Sequence, residues 1–388
     1  MNIKILSCWF ATSFGDYAHA LRGALERRLG VEVGVIATNC GCGDPVEVGR
    51  QFQDHRCDFF EFPHISYFKS TSPAKYWLRT KAQQLMHRER AKRFLKRSGD
   101  ADVLHFQQIL NAFGSQALFN WLAMPSNAAR IVTVHELDPA QLDFPENNLK
   151  YNKADRIIVH ANEMKASLVS LGVDSELIDV VEHGVEIRPV PNGAREGIVF
   201  YGGHKIHSGK GVDTLFNAMA LVKKRLGPNA PVLKIHGHYG TATPEYGLNS
   251  ATKAGVADDI RWLNQISLEE TISEYQKSLL CVLPYTGSFA GFPAVNAMAN
   301  GTAVIGTRKA GLPDLLGDTG VWVEANDAEK LADSIVDLLN DNVRRQDIAA
   351  KARARAAKLF NWDVIAQRTL DSYEKAIHSK KTRSVATG

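Results

Sequence analysis

The stretch YTGSFAGFPAVNAMANGTAVIGTRKAGL, residues 285–312, decides the reading of this chain. A hydrophobic run ends at Pro284 and a glycine-rich loop follows; residues 294–299 have the composition of a short helix. Gly301 and Thr302 then lead into the apolar run AVIG at 303–306, before a second glycine turn at Gly311. A strand, a glycine loop and a helix start, in that order, are where an open α/β sheet binds phosphate. Unpaired backbone N–H groups and the positive end of the helix dipole both face the anion there. The charge pattern is unusual, because no Asp or Glu occurs between Glu274 and Asp314.

The same alternation extends outward in both directions. Residues 2–8 read as a buried first strand, Phe14-Gly15-Asp16 as a turn, and residues 17–29 as a helix with Ala20, Leu21, Ala24 and Leu25 on one face. Strands at 31–37, 103–106, 131–135 and 156–159 alternate with helical stretches such as 164–171. Residues 187–197, IRPVPNGAREG, carry two prolines and two glycines and read as a linker. A second alternation has strands at 197–201, 232–236, 260–263, 279–283 and 303–306, and ends in helices after Asp327. Alternating strands and helices imply parallel sheets. The last helix spans 362–377, and the tail KKTRSVATG is expected to fray.

At 388 residues the chain is long enough for two domains, each burying its own core. The formal charge of +4 and pI of about 8.7 are too mild to indicate a nucleic-acid partner. Five cysteines are an odd number, and Cys40-Gly41-Cys42 lacks the spacing of a zinc knuckle, so reduced thiols are expected. No run approaches ~18 consecutive apolar residues, and MNIKILSCWF is too short for a signal peptide. The expected location is cytoplasmic.

Residues 285–312 resemble the donor site of the retaining GT-B glycosyltransferases, the group that includes glycogen synthase and the bacterial mannosyltransferases. Their pattern runs approximately E-G-F-G-x-x-x-x-E-A-M-A-x-G-T-P-V-I-A. Met298, Gly301, Thr302, Val304 and Ile305 fall on that template, and Asn296 stands where the second glutamate would be. The first glutamate falls on Ser288 in one register and on Ala290 in another that aligns Gly291 and Phe292, so both acids are replaced. The stretch FYGGHKIHSGKGVDTL, 200–215, resembles F-V-G-R-x-x-x-x-K-G-x-D-x-L, with Lys210 on the family lysine. The family arginine is absent, and Gly203, His204 and Lys205 stand near its place. IVTVHEL, 131–137, resembles the T-V-H-D stretch, and NKADRIIVH and VVEHGV resemble two scaffold motifs.

The resemblance implies an α/β GT-B fold, two Rossmann-like domains whose parallel sheets face across a cleft. Residues 1–190 would form the acceptor-side domain and 191–361 the nucleotide-sugar domain. Residues 362–388 would supply a helix crossing back to the first domain, plus the tail. The implied function is transfer of a sugar, with retention, from a nucleoside-diphosphate sugar to a glycan, glycolipid or similar acceptor. The alternative is a catalytically silent GT-B protein that binds nucleotide sugar or serves as an assembly partner.

Lys210 and His135 are the candidate catalytic residues. Lys210 would neutralise charge building on the leaving diphosphate, which a preorganised cation does without metal. His135, at the carboxyl end of a strand, would lie beside the sugar. Donor contacts are expected from Gly15, Gly203, His204, Lys205, Lys210, Ser288, Phe289, Ala290, Gly291, Phe292 and Asn296. Asp16 suits either a helix cap or a proton acceptor for the acceptor hydroxyl. Asp100-Ala101-Asp102 precedes a strand and reads as solvated loop charge. No metal and no cofactor beyond the donor substrate are expected. Residues 67–97 place Tyr67, Phe68, Tyr76 and Trp77 before a basic run with a single acid, Glu89. That composition fits an anionic membrane surface and a lipid-linked acceptor as well as a solvated helix beside a soluble acceptor.

Overall fold

The computed structural model describes residues 1–7, 13–30, 32–38, 57–60, 99, 101–107, 126–135, 149–203, 206, 208–237, 244–264, 266–287 and 291–386. The chain divides into two compact units, one of 1–181 with 362–388 and the other of 182–361. Both are parallel sheets covered by helices, the two-Rossmann α/β architecture of GT-B proteins.

The first unit is built on seven strands: β1 (Ile3–Ser7), β2 (Val33–Thr38), β3 (Cys57–Phe60), β4 (Val103–Gln107), β5 (Ala129–Val134), β6 (Arg156–Val159) and β7 (Ile178–Val180). Their order is β3-β2-β1-β4-β5-β6-β7, with every pairing parallel. The chain winds one way from β1 and then the other from β4, so the topological switch lies between those two strands. β4 and β5 are buried along their whole length, which is why they read as continuous rather than alternating apolar runs. Helix α1 (Ser13–Leu29) lays Tyr17, Ala18, Leu21, Ala24 and Leu25 on the sheet. Helix α2 (Asn162–Ser170) follows β6.

Helix α1 starts earlier than the sequence suggests. Gly15 and Asp16 belong to its first turn, where a carboxylate complements the dipole, and do not form a separate turn. Asp102 is solvent-exposed, as expected of a solvated acid, and its carboxylate also accepts from the Asn2 backbone N–H at 2.7 Å, tying the start of β1 beside β4. Three strands, β3, β7 and β13 (Val321–Val323), are too short to stand out in the sequence.

The second unit has six strands: β8 (Ile198–Gly203), β9 (Leu233–Gly237), β10 (Ile260–Asn264), β11 (Leu280–Leu283), β12 (Ala303–Thr307) and β13. Their order is β10-β9-β8-β11-β12-β13, so the switch point here lies between β8 and β11. The covering helices are α3 (Val212–Leu226), α4 (Pro244–Ala254), α5 (Leu268–Lys277), α6 (Phe292–Ala299), α7 (Leu312–Leu316), α8 (Ala328–Asn340) and α9 (Asn342–Leu359). Ser267 caps α5 with a reciprocal capping box to Glu270. Arginines close the other helix ends. Arg195 donates to the carbonyls of Ser278 and Asn300, and Arg353 to those of Ala299 and Arg188. Cations at helix carboxyl ends offset the dipole and satisfy orphan carbonyls, so α5 and α6 are anchored at their far ends.

The last helix, α10 (Trp362–Ala386), packs in the first unit, where Ile365, Ala366, Leu370, Tyr373 and Ala376 join the core around Ile3, Ile5 and Ile131. It runs nine residues past the expected end, so most of the tail is helical rather than frayed. Lys375 pairs with Asp179 at 2.8 Å, and Lys380 donates to the Ala128 carbonyl at 2.7 Å.

Candidate functional site

The second unit brings its glycine turns together at the β8–β11 switch point, where open α/β sheets bind their ligands. After β8 a short turn, Ser208–Lys210, leads to Gly211, which caps α3 with φ of 69°. The Gly209 carbonyl accepts from the backbone N–H groups of Thr286 and Gly287, each at 3.0 Å, so the loop after β8 is stitched to the loop after β11. A Cβ on Gly211 would lie 1.8 Å from the Pro284 carbonyl oxygen, which makes glycine a steric requirement. Lys210 places its ammonium 4.9 Å from the centroid of the buried Tyr285 ring, a cation–π contact that fixes the side chain at the edge of the sheet. Thr307 in turn donates to the Tyr285 carbonyl at 2.6 Å.

Gly291, with φ of 77°, caps α6, and Phe292 and Pro293 open the helix. Pro293 removes one of the N–H groups that a helix start would otherwise offer an anion. Asn296 is buried, 6% exposed, and its amide donates back to the Phe292 carbonyl at 3.0 Å, which leaves its side-chain oxygen as the group suited to accept from a ligand hydroxyl. Gly203 ends β8. His204, Lys205, Ser288, Phe289 and Ala290 lie outside the described residues, as does the whole basic segment 67–97.

In the first unit, His135 follows β5 and is 1% exposed. Its two ring nitrogens are both engaged inside the unit, Nε2 2.8 Å from Gln107 Oε1 and Nδ1 2.9 Å from His160 Nε2. His160 Nδ1 is 2.8 Å from the Val181 carbonyl. Tyr17 stands edge-on to both imidazoles, with centroids at 4.8 and 5.3 Å. Burial holds His160 down at about 4, partly offset by the Val181 carbonyl. His105 is held down at about 3 by burial and then by repulsion from a charged His160. Asp16 in the first turn of α1 is half-buried, and burial pushes its carboxyl up to about 6, so it can take up a proton near neutrality.

Sequence reading missed His105, Gln107, His160 and Tyr373. A signal existed in VLHFQ, where two polar residues sit two apart in a strand that is otherwise wholly apolar and buried.

A family profile described as Glycosyl transferases group 1 matches residues 195–341, and one described as Glycosyltransferase Family 4 matches residues 15–188. The D-inositol 3-phosphate glycosyltransferase of Mycolicibacterium smegmatis is 30% identical over 318 residues, covering 74% of this chain and 70% of that protein. The chain belongs to the group 1 glycosyl transferases. The Corynebacterium efficiens enzyme of the same name is 28% identical, covering 73% of each chain. Among solved structures, sucrose-phosphate synthase from Thermosynechococcus elongatus has a TM-score of 0.74 at 20% identity, covering 98% of this chain and all of that one. Anabaena HepE in complex with UDP and glucose has a TM-score of 0.71 at 16% identity, covering 96% and 99%. At those identities the structural likeness speaks for the GT-B fold. The two profiles meet near the β8 start of the second alternation, and the group 1 profile spans the whole of the glycine-turn cluster.

Proposed function

We propose that the protein transfers a sugar from a nucleoside-diphosphate sugar, with retention and without metal, to a hydroxyl of a glycan, glycolipid or phosphorylated polyol. The observation that carries this is Lys210, held on Tyr285 beside two interlocked glycine turns at the β8–β11 switch point. Sugar departure builds charge on the diphosphate, and a cation already in position stabilises it without reorganising. Asn296 offers a neutral oxygen to the nucleotide ribose in place of a carboxylate, weaker by about 1 kcal/mol than a charge-assisted contact. HepE, the structural neighbour crystallised with UDP and glucose, and the inositol 3-phosphate enzymes motivate the donor and acceptor classes. Asp16, able to protonate near neutrality, suits the acceptor hydroxyl. The basic segment 67–97 supplies docking to anionic membrane at the cytosolic face. Co-sedimentation with anionic vesicles at low salt, lost when Arg88, Arg90, Arg93 and Arg97 are changed to Gln, tests this.

A second reading, a silent nucleotide-sugar-binding protein, draws on the carboxylate-free loop and on the Asn296 amide being turned into its own helix. Product formation separates the two, because both bind nucleotide. A panel of UDP, GDP, ADP and dTDP sugars is screened first by thermal shift, since ligand at a hundredfold its Kd stabilises by about 2.7 kcal/mol, and then by turnover. With the active donor, Lys210→Ala should cut turnover on the order of 10²-fold with the fold retained. Unchanged turnover removes Lys210 from the reaction.

A further inference from the structure

A line of hydrogen-bonded side chains crosses the otherwise apolar face that β4, β5 and β6 turn toward α1 and α10. Tyr373 Oη is 2.6 Å from His105 Nδ1. His105 Nε2 is 2.6 Å from Thr133 Oγ1 and 3.2 Å from Gln107 Nε2. The line continues from Gln107 to His135, from His135 to His160, and ends on the Val181 carbonyl. None of these side chains is more than 1% exposed. Such a line is costly in a core unless every donor meets an acceptor.

Proton counting limits how it can be satisfied. The Val181 carbonyl can only accept, so His160 carries a hydrogen on Nδ1. With the Gln107 oxygen toward His135, the other end of the imidazole pair also meets a carbonyl-type acceptor, so His135 carries a hydrogen on Nε2. The bond between the rings needs one more. Three hydrogens on two imidazoles make one positive charge, and burial opposes it, as the depressed values of His160 and His105 show. A half-turn of the Gln107 amide exchanges its nitrogen and oxygen and removes the conflict. Gln107 Nε2–H then donates to His135 Nε2, and Gln107 Oε1 accepts from His105 Nε2–H, shared with Thr133. His105 Nδ1 accepts from the Tyr373 hydroxyl, His135 Nδ1–H donates to His160, and His160 donates to Val181. Every bond is made with all three imidazoles neutral.

We propose that Gln107 is a positioning residue that keeps His135 a neutral Nδ1–H tautomer, within one line of donation running from Tyr373 on the C-terminal helix to the Val181 carbonyl. This rests on the reading that His135 stands at the sugar end of β5. When the bond to the diphosphate breaks, positive charge develops at the sugar's anomeric carbon, and an imidazolium beside it would oppose that charge while a neutral, clamped imidazole does not. Within the first unit the pair meets Tyr17 from α1, edge-on to both rings, and, through Gln107, His105 with Tyr373 from α10 beyond it. Burial pushes both tyrosines above their ordinary range, so they remain hydroxyls.

The test is nitrogen NMR on the full chain labelled with 15N-histidine, with the His135 signals assigned from the His135→Asn variant. The expected spectrum has one protonated and one unprotonated nitrogen on His135, with the proton on Nδ1, unchanged from pH 8 to pH 6. Two protonated nitrogens, or a proton on Nε2, overturns the proposal. Gln107→Glu replaces the amide by a carboxylate that only accepts, so His135 should gain its second proton, and turnover with an active donor should fall at least tenfold at a donor KM changed less than twofold. A Gln107→Glu protein whose His135 keeps the wild-type pattern also overturns it. The spectra decide the matter without any turnover, whereas failure of every donor to react, with the expected spectra, counts against the transferase reading alone.

Discussion

Replacing Gly211 by alanine tests whether the two glycine turns form one rigid unit at the sheet switch point. Two separate effects add at this position. The left-handed backbone, φ 69°, costs a residue with a Cβ about 1–2 kcal/mol. The new Cβ would sit 1.8 Å from the Pro284 carbonyl oxygen, whereas real Cβ contacts stay beyond 3.0 Å, so the loops after β8 and β11 must part by more than an ångström. Overpacking of that kind costs a further ~1–3 kcal/mol. Gly255 supplies the control, because it has φ of 74° and nothing within 4 Å of an added Cβ. Gly255→Ala should therefore lose only the backbone part, about 1–2 kcal/mol, and Gly211→Ala about 2–5 kcal/mol. Denaturant unfolding reads the stability, and titration with the best nucleotide from the donor panel reads the site. Parting the loops displaces Lys210 and the Thr286 and Gly287 N–H groups together, so affinity should fall on the order of tenfold or more in Gly211→Ala and stay unchanged in Gly255→Ala. Equal stability losses in the two variants, or an unaltered nucleotide affinity in Gly211→Ala, would refute the idea that these turns are locked to each other.

Two further outcomes are expected. His105 and His160 are held neutral in the folded protein at about 3 and about 4, below the ordinary 6.5, so the unfolded chain binds more protons as pH falls. Their contribution is complete above about pH 6.5 and is lost as pH drops toward 4, at roughly 1.4 kcal/mol per pH unit for each histidine. The denaturation midpoint of wild type should therefore fall more steeply between pH 6 and pH 4 than that of the His105→Gln/His160→Gln protein, and parallel pH profiles would contradict it. Asn296→Ala should weaken nucleotide binding by about 1–2 kcal/mol and Asn296→Glu should retain or improve it, and a nucleotide-bound structure with Asn296 turned away from the ribose would remove it from the site.

Much of the fold was legible in the one-dimensional pattern. Buried parallel strands such as ARIVTV and LCVL read as unbroken apolar runs, glycines punctuate their carboxyl ends, and the stretch 285–312 carried the strand, loop and helix order of a phosphate site without any neighbour's help. Lys210 was singled out for the same reason, being flanked by Gly209 and Gly211 in the connection between a strand and a helix. Short edge strands were not, because three apolar residues such as VWV at 321–323 become a strand only when β12 offers its hydrogen bonds. Nor was the length of α10, whose polar last turns have no apolar face to announce them. The clearest case is His135. The sequence places it at a strand end, and it does directly follow β5. Only tertiary structure brings Gln107 from two residues past His105, His160 from the next strand and Tyr373 from a helix 268 residues beyond His105 into one buried line. Local sequence sets backbone conformation and which residues seek burial. The direction in which a buried imidazole must hold its proton depends on acceptors contributed by strands and helices far apart in the chain, and that is settled only when they pack.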